Sequence, residues 1–282
     1  CSYSNDQSDY NTSDAVLFRG RRFRDNITFP KHRQPKQKWV FYEFEPPYKV
    51  HGLGDLGENR RAFNLTSTYA YSSDIPLGTQ RMYYPRDRYP HIEYAKNKTK
   101  LAAWFVSVCR TQSKREKYVK ELSKYIPIDI YGGCGTLECG GTDREARAVC
   151  SDNLLNNVYK FYLAFENSFC KDYVTEKLFM YRKYDVMPVV MGAVDYSNIM
   201  PPGTFIDVRD YRDPKDLASY LKYLDKHDEI YDRMLNKKRA LKPIFKDYLP
   251  YECRLCKHLH DNYNRQERVF DIARYWSLEN QC

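Results

Sequence analysis

From residue 99 onward, short apolar runs alternate with stretches whose apolar residues recur at helical spacing. Leu101–Val108 reads as a strand, Lys114–Lys124 as a helix and Pro127–Tyr131 as a second strand closed by Gly132-Gly133. A Gly- and Cys-rich loop leads to the aromatic run Tyr159–Phe165, and a helical stretch follows from Thr175 to about Tyr184. Val186–Met191 and Thr204–Val208 read as further strands. Pro214–Lys226 is a helix whose Leu217, Tyr220, Leu221 and Leu224 fall on one face. This alternation predicts an α/β fold with a parallel, doubly wound sheet, which binds its ligand at the carboxyl ends of the strands. Before residue 99 only Val16–Phe18 and Trp39–Phe44 read as strands, and the charged, Pro-containing stretch Arg86–Lys98 reads as a linker. The expected organisation is a first domain over 1–98, a second over 99–250, and a segment 251–282 that returns to the first through Cys253, Cys256 and Cys282.

Composition narrows the class. The 282 residues are 42% hydrophobic and 16% aromatic, which excludes a disordered or collagen-like chain. The longest apolar run, Leu101–Val106, is far short of the roughly 18 residues a membrane span needs. The net charge of +9 is spread along the chain, with no basic block and no recognition module, so nucleic acid is not an expected partner. Nine cysteines and four N-x-S/T sequons, at Asn11, Asn26, Asn64 and Asn97, point to disulfides and an oxidising compartment. An odd count leaves at least one thiol without a partner in the chain.

Several motifs carry possible chemistry. Gly52, Gly54 and Gly57 spell G-x-G-x-x-G, but Pro46-Pro47-Tyr48-Lys49-Val50 separates them from the preceding strand, so they read as a loop. Cys253-x-x-Cys256 with His258 and His260 lacks a familiar zinc spacing and reads as disulfide cysteines. No Asp-x-Asp occurs, so no two-carboxylate metal seat for a diphosphate is expected, and Lys, Arg and helix dipole would neutralise one instead. The most specific stretch is 159–178, Y-K-F-Y-L-A-F-E-N-S-F-C-K-D-Y-V-T-E-K-L. It is an apolar strand that emits Glu166 and Asn167, then a loop, then a helix start carrying Glu176 and Lys177. That start suits an anion with a carboxylate for sugar hydroxyls; equally, Thr175 is a plain N-cap and Glu176 a dipole-compensating residue.

At this stretch the sequence resembles the α1,3-fucosyltransferases of glycosyltransferase family ten, whose hallmark runs close to Y-K-F-x-L-A-F-E-N-S followed by D-Y-[IV]-T-E-K. Trp39–Pro47 is similar to the family's strand ending in F-E-S-P, and Phe63–Ile75 to its F-N-x-T-x-x-Y-R-x-D-S-D segment. Leu101–Leu122, Ile128–Gly132, Met187–Gly192 and Ser219–Asp225 follow its later pattern.

The resemblance implies two Rossmann-like domains of the GT-B type with an interdomain cleft, the N-terminal one for acceptor and truncated at its start, the second for GDP-fucose. It implies an inverting transfer of L-fucose from GDP-fucose to an N-acetylglucosamine hydroxyl of a glycan or glycoprotein, in α1,3 linkage. Glu45 matches the general base. Arg115 and Lys177 match basic donor-site residues, Glu176 would bind the ribose, and Tyr131, Glu166, Asn167 and Tyr173 would line the donor pocket. No cofactor and no metal is implied beyond the co-substrate. Pro46, Ala70 and Ser72 depart from the family's pattern on the acceptor side, leaving the acceptor open. The alternative is a catalytically silent relative that binds glycans. The resemblance further implies a Golgi lumenal, type II membrane protein whose N-terminal anchor lies outside this chain. It pairs Cys1 with Cys256 and leaves Cys253 without a partner because the chain is cut upstream.

Overall fold

The computed structural model describes residues 1–25, 29–77, 82–83, 85, 91–179, 182, 184–244 and 249–282. The expected glycosylation site Asn26 and the first residues of the Arg86–Lys98 linker lie outside them, as does part of the helical run after Thr175. The chain divides into two compact units. The first comprises residues 1–79, 170–173 and 245–282, and the second 80–169 and 174–244. Residues 80–98 thus group with the second unit, where the sequence reading put the boundary at 98.

In the first unit, β1 (Ala15–Arg19), β2 (Lys38–Glu43) and β3 (Leu65–Thr68) form a parallel sheet in that order, with Phe18 opposite Phe41 and Val40 opposite Leu65. Alternation along β2 sends Trp39 and Phe41 to one face and Val40 to the other, and both faces are covered, as a parallel sheet requires.

The second unit begins with β4 (Met82–Tyr83) and then β5 (Lys100–Phe105), α1 (Arg115–Leu122), β6 (Ile128–Tyr131), α2 (Arg144–Asn157), β7 (Tyr159–Phe165), α3 (Glu176–Phe179), β8 (Met187–Met191) and β9 (Ile206–Asp207). It ends with α4 (Pro214–Lys226), α5 (Asp228–Arg239) and β10 (Lys242–Pro243), which pairs antiparallel with β4. In the first unit the chain then adds α6 (Tyr251–Asp261), α7 (Ile272–Tyr275) and α8 (Leu278–Gln281). Leu255 of α6 packs on the Val40 face, and Ile272 of α7, with Trp276 just after it, on the Phe41 face.

The five-stranded sheet is all parallel in the order β6-β5-β7-β8-β9. Every residue of β7 is buried. Phe161, Leu163 and Phe165 meet α1, α4 and α5 on one side, while Tyr162 and Ala164 meet Leu155 of α2 and Leu178 of α3 on the other. The strand order reverses between β5 and β7, which is where a doubly wound sheet opens a crevice at its carboxyl edge.

Helix α2 was not expected, because it buries Leu155 alone and so carries no periodic apolar stripe. It is defined instead by Asp143, whose side chain accepts from the Ala146 N–H, and by the Cys139–Cys150 disulfide. Conversely, Val106–Val108 leaves the strand that Leu101–Val108 predicted: β5 stops at Phe105, and Val106 caps β6 by donating its N–H to the Tyr131 carbonyl. Among the described residues no helix is long and apolar enough to cross a membrane.

Candidate functional site

The chain leaving β5 and the chain leaving β7 are knotted together by short hydrogen bonds. Ser113 donates its N–H to the Asn167 carbonyl at 3.1 Å and its hydroxyl to the Glu166 carbonyl at 2.7 Å. Arg115, at the start of α1, is 3% exposed and sends Nη1 to the Phe165 carbonyl at 2.6 Å. Lys114 before it adopts a left-handed φ of 53°, which turns the chain sharply into the helix. A cation is therefore anchored at the carboxyl ends of β5 and β7.

Beyond β7 the Glu166 carboxylate is fully buried. Oε1 accepts from the Thr175 N–H at 2.8 Å, both oxygens lie within 3.0 Å of the Thr175 hydroxyl, and Lys177 Nζ is 3.3 Å from Oε2. Lys177 also reaches the Thr175 hydroxyl at 2.7 Å and Glu176 at 3.1 Å. Burial pushes the Glu166 carboxyl up, with Lys177 and Thr175 pulling the other way. Burial would lower Lys177, but the charges of Glu166 and Glu176 hold it above its ordinary value, so it stays a cation. Arg115 acts on it as a like charge, and two neighbouring cations are what an incoming polyanion would neutralise. The described helix α3 is only four residues long, so the anion reading rests on these side chains rather than on a helix dipole.

Around the same strand ends, three buried polar atoms have no hydrogen-bond partner among the described residues: Asn167 Oδ1, Ser168 Oγ and the Tyr196 hydroxyl. Gly192, just past β8, is necessary here, because a Cβ at that position would overlap the Tyr196 hydroxyl. Orphaned buried polar groups are rare in folded proteins and are satisfied by water or ligand.

In the first unit, Glu45 follows the end of β2 and its carboxylate is 23% exposed, 3.6 Å from Arg21 Nη1. Its backbone N–H donates to Glu43 Oε1 at 2.8 Å.

The comparisons with known proteins now decide the family. Residues 95–276 match the family model described as Glycosyltransferase family 10 (fucosyltransferase) C-term, and residues 1–80 match Fucosyltransferase, N-terminal. The chain belongs to glycosyltransferase family 10. It is 36% identical over 280 residues to Glycoprotein 3-alpha-L-fucosyltransferase A of Drosophila melanogaster, a match covering 96% of this chain and 53% of the fly protein. The chain thus spans about half the length of that relative. It is 35% identical over 274 residues to 4-galactosyl-N-acetylglucosaminide 3-alpha-L-fucosyltransferase 9 of Bos taurus, covering 93% of this chain and 72% of the bovine one. A solved structure, "Crystal Structure of alpha1,3-Fucosyltransferase with GDP-fucose", resembles it with a TM-score of 0.58 at 18% identity, over 92% of this chain and 80% of that one. That likeness is one of fold, and it agrees with the α/β, parallel-sheet, Rossmann-like architecture of both units.

For this family 10 chain the residues expected at the donor fall in three places. Arg115, Glu166, Asn167, Glu176 and Lys177 come together in the second unit. Tyr173 belongs to the first unit, where its ring lies 4.8 Å from that of Tyr69. Tyr131 stacks on Phe105, and its hydroxyl is taken by Tyr159 at 2.7 Å, inside a network that runs on to Asp129 and Lys100. Ser113, Thr175, Ser168, Gly192 and Tyr196 were not read as site residues. Thr175 was flagged only as a cap, and Ser113, Ser168 and Gly192 lay inside the family-like segments without a role, whereas nothing in the sequence marked Tyr196.

The cysteines form four bridges, Cys1–Cys256, Cys109–Cys134, Cys139–Cys150 and Cys170–Cys282, and Cys253 is a free thiol. Cys1, Cys256 and His260 lie close enough to share an ion, but the two sulfurs are joined to each other, leaving one imidazole. Asn11 and Asn97 are exposed. Asn64 is engaged at both ends of its amide: Oδ1 accepts from the Trp39 N–H at 2.8 Å, and Nδ2 donates to the Glu267 carbonyl at 2.8 Å.

Proposed function

We propose that this chain is the catalytic region of a GDP-fucose-dependent α1,3-fucosyltransferase that transfers L-fucose, with inversion, to an N-acetylglucosamine hydroxyl of a glycan or glycoprotein. The observation that carries the reading is the cluster at the β5, β7 and β8 ends: two cations, Arg115 and Lys177, beside buried polar atoms that have no partner among the described residues. Such a site suits a ligand that is both phosphorylated and rich in hydroxyls. In the reaction, Glu45 takes the proton of the acceptor hydroxyl as its oxygen bonds to the anomeric carbon of fucose. The bond from that carbon to the diphosphate oxygen breaks on the opposite face, its electron pair leaves with GDP, and Arg115 and Lys177 stabilise the charge that develops. Glu176 holds ribose hydroxyls. Glu166 is too buried to meet ligand broadly and serves to fix Thr175 and Lys177. No metal takes part, in keeping with the lack of an Asp-x-Asp pair. The four disulfides support an oxidising lumen, with the Golgi as the compartment and an N-terminal anchor holding the enzyme to the membrane.

The test is transfer from GDP-fucose to defined acceptors, with and without chelator, for the wild type and Glu45→Gln. Transfer by the wild type, its loss in the variant with GDP binding retained, and indifference to chelator are expected. GDP binding without turnover in the wild type would favour the silent, glycan-binding alternative. Turnover by Glu45→Gln would remove Glu45 from the mechanism.

A further inference from the structure

A second carboxylate lies two residues before Glu45, and the mechanism does not use it. Glu43, the last residue of β2, is completely buried. An ionised carboxylate in that position is costly unless every lone pair has a donor. It has four donors, and they divide between its two oxygens. Oε1 accepts the backbone N–H groups of Phe44 at 2.9 Å and Glu45 at 2.8 Å, closing the turn that carries Glu45. Oε2 accepts the backbone N–H of Arg21 at 2.5 Å and Nε of Arg19 at 3.3 Å. The chain approaches this closely at Arg21 because residue 20 is glycine. A Cβ there would lie 2.7 Å from the Phe41 ring and 3.2 Å from Glu43 Oε2. Arg21 in turn places Nη1 3.6 Å from Glu45, and the Arg19 guanidinium sits 3.5 Å from the centre of the Phe44 ring.

One buried side chain therefore holds both members of the Arg21–Glu45 pair by their backbones. We propose that Glu43 is a positioning residue that presents Glu45, and sets Arg21 against it, for proton abstraction. This rests on Glu45 being the general base. A glutamine has the same shape, but its amide keeps one accepting oxygen. Whichever way it turns, either the Glu45 turn or the Arg21 backbone faces an NH2 group and loses its partner.

Among the described residues, the charged and titratable groups facing the two carboxylates include Arg19 and Arg21, from β1 and the turn after it, with Tyr42 on β2 and Tyr69 after β3. Burial raises both tyrosines, so neither changes charge in acidic or neutral solution.

The experiment measures kcat, donor KM and the pH profile of kcat for the wild type, Glu45→Gln, Glu43→Gln, Glu43→Asp and Arg21→Gln. Melting and GDP affinity serve as controls for folding. Glu43→Gln is expected to lose kcat by ~10-fold or more with donor KM nearly unchanged, the pattern of a misplaced group rather than lost binding. The acid limb of its profile should move to lower pH, because a negative neighbour of the base has gone. Arg21→Gln should move that limb upward. Glu43→Asp, which keeps the charge on a shorter stem, should lose kcat while leaving the limb in place.

A folded Glu43→Gln with wild-type kcat and limb overturns the proposal. If that variant does not fold, an Arg21→Gln limb that stays in place does so instead. Should Glu45→Gln be inactive and these variants normal, only the positioning role fails. A wild type without transfer, or an active Glu45→Gln, removes the reading beneath it as well.

Discussion

Both oxygens of the Glu166 carboxylate lie against one hydroxyl, that of Thr175, at 3.0 and 2.8 Å. The same hydroxyl accepts from Lys177 Nζ at 2.7 Å, so it relays between a buried anion and the cation proposed to meet the diphosphate. Thr175→Val keeps the shape and removes the relay. We expect a stability loss of about 1–3 kcal/mol, from a buried carboxylate stripped of a partner, and a donor KM raised at least several-fold. Thr175→Ser should restore both. Calorimetry together with donor titration checks this, and a valine variant with wild-type donor KM would remove Thr175 from the site.

Gly192 and Tyr196 make a steric pair that a double-mutant cycle can isolate. Gly192→Ala drives a methyl into the Tyr196 hydroxyl and should cost about 1–3 kcal/mol by overpacking. Tyr196→Phe deletes a hydroxyl that has no partner among the described residues and should cost less than about 1 kcal/mol. In the double variant the methyl faces the ring carbon at 3.4 Å, an ordinary contact, so most of the loss should be recovered. Strict additivity of the two denaturation shifts would contradict this.

Lys98 is a buried lysine whose Nζ donates to the Asn156 carbonyl at 2.7 Å and the Leu155 carbonyl at 3.2 Å, at the end of α2. Burial pushes it down to about 8, against the pull of Asp185 and Asp232. Its folded value therefore lies below its unfolded one. Between about pH 8 and 10.5 the unfolded chain binds the extra proton, so this term makes the protein more stable as pH rises. Relative to Lys98→Met, the wild type should gain up to about 3 kcal/mol across that window. The comparison is best made in a Cys253→Ser background, since an exposed free cysteine can exchange with the disulfides. A stability difference that stays flat with pH would count against it.

Glycan occupancy separates the sequons. An oligosaccharide on Asn64 would sit on the nitrogen that donates to the Glu267 carbonyl, whereas Asn11 and Asn97 are exposed. Glycopeptide mapping of secreted, folded protein should find glycan at Asn11 and Asn97 and a bare Asn64. Full occupancy at Asn64 would mean that the residue does not hold Glu267 as described.

Elements were legible where a pattern filled the whole of one. Tyr159–Phe165 and Pro214–Lys226 emerge with the bounds their sequences predict, because β7 is buried at every position and α4 presents Leu217, Leu221 and Leu224 on one face. Helix α5 was missed although it buries Tyr231 and Leu235, because Asp232, Asn236 and Lys238 are buried beside them and interrupt the apolar stripe. The Lys-Arg-Glu chemistry of the second unit was legible as a motif. What makes it a site was not: the Ser113 bonds to 166 and 167, the hydroxyl at 196 and the space at Gly192 arise from segments 50 or more residues apart, or from the shape of a turn. Glu43 illustrates the same limit. In the sequence it is one more polar residue at a strand end, and only folding shows that its two oxygens serve two different segments.

The make-up of the first unit has a consequence for biogenesis. Its sheet is laid down within the first 68 residues, yet Leu255, Ile272 and Trp276 complete the two cores, and Cys170 waits for Cys282. As the chain emerges vectorially, Trp39, Phe41 and Leu65 must remain incompletely covered while roughly 190 to 200 further residues are made. The second unit has no such debt to later sequence, since it is finished by residue 244. A nascent chain halted before residue 250 would therefore present one domain ready to fold and one apolar sheet in need of a chaperone.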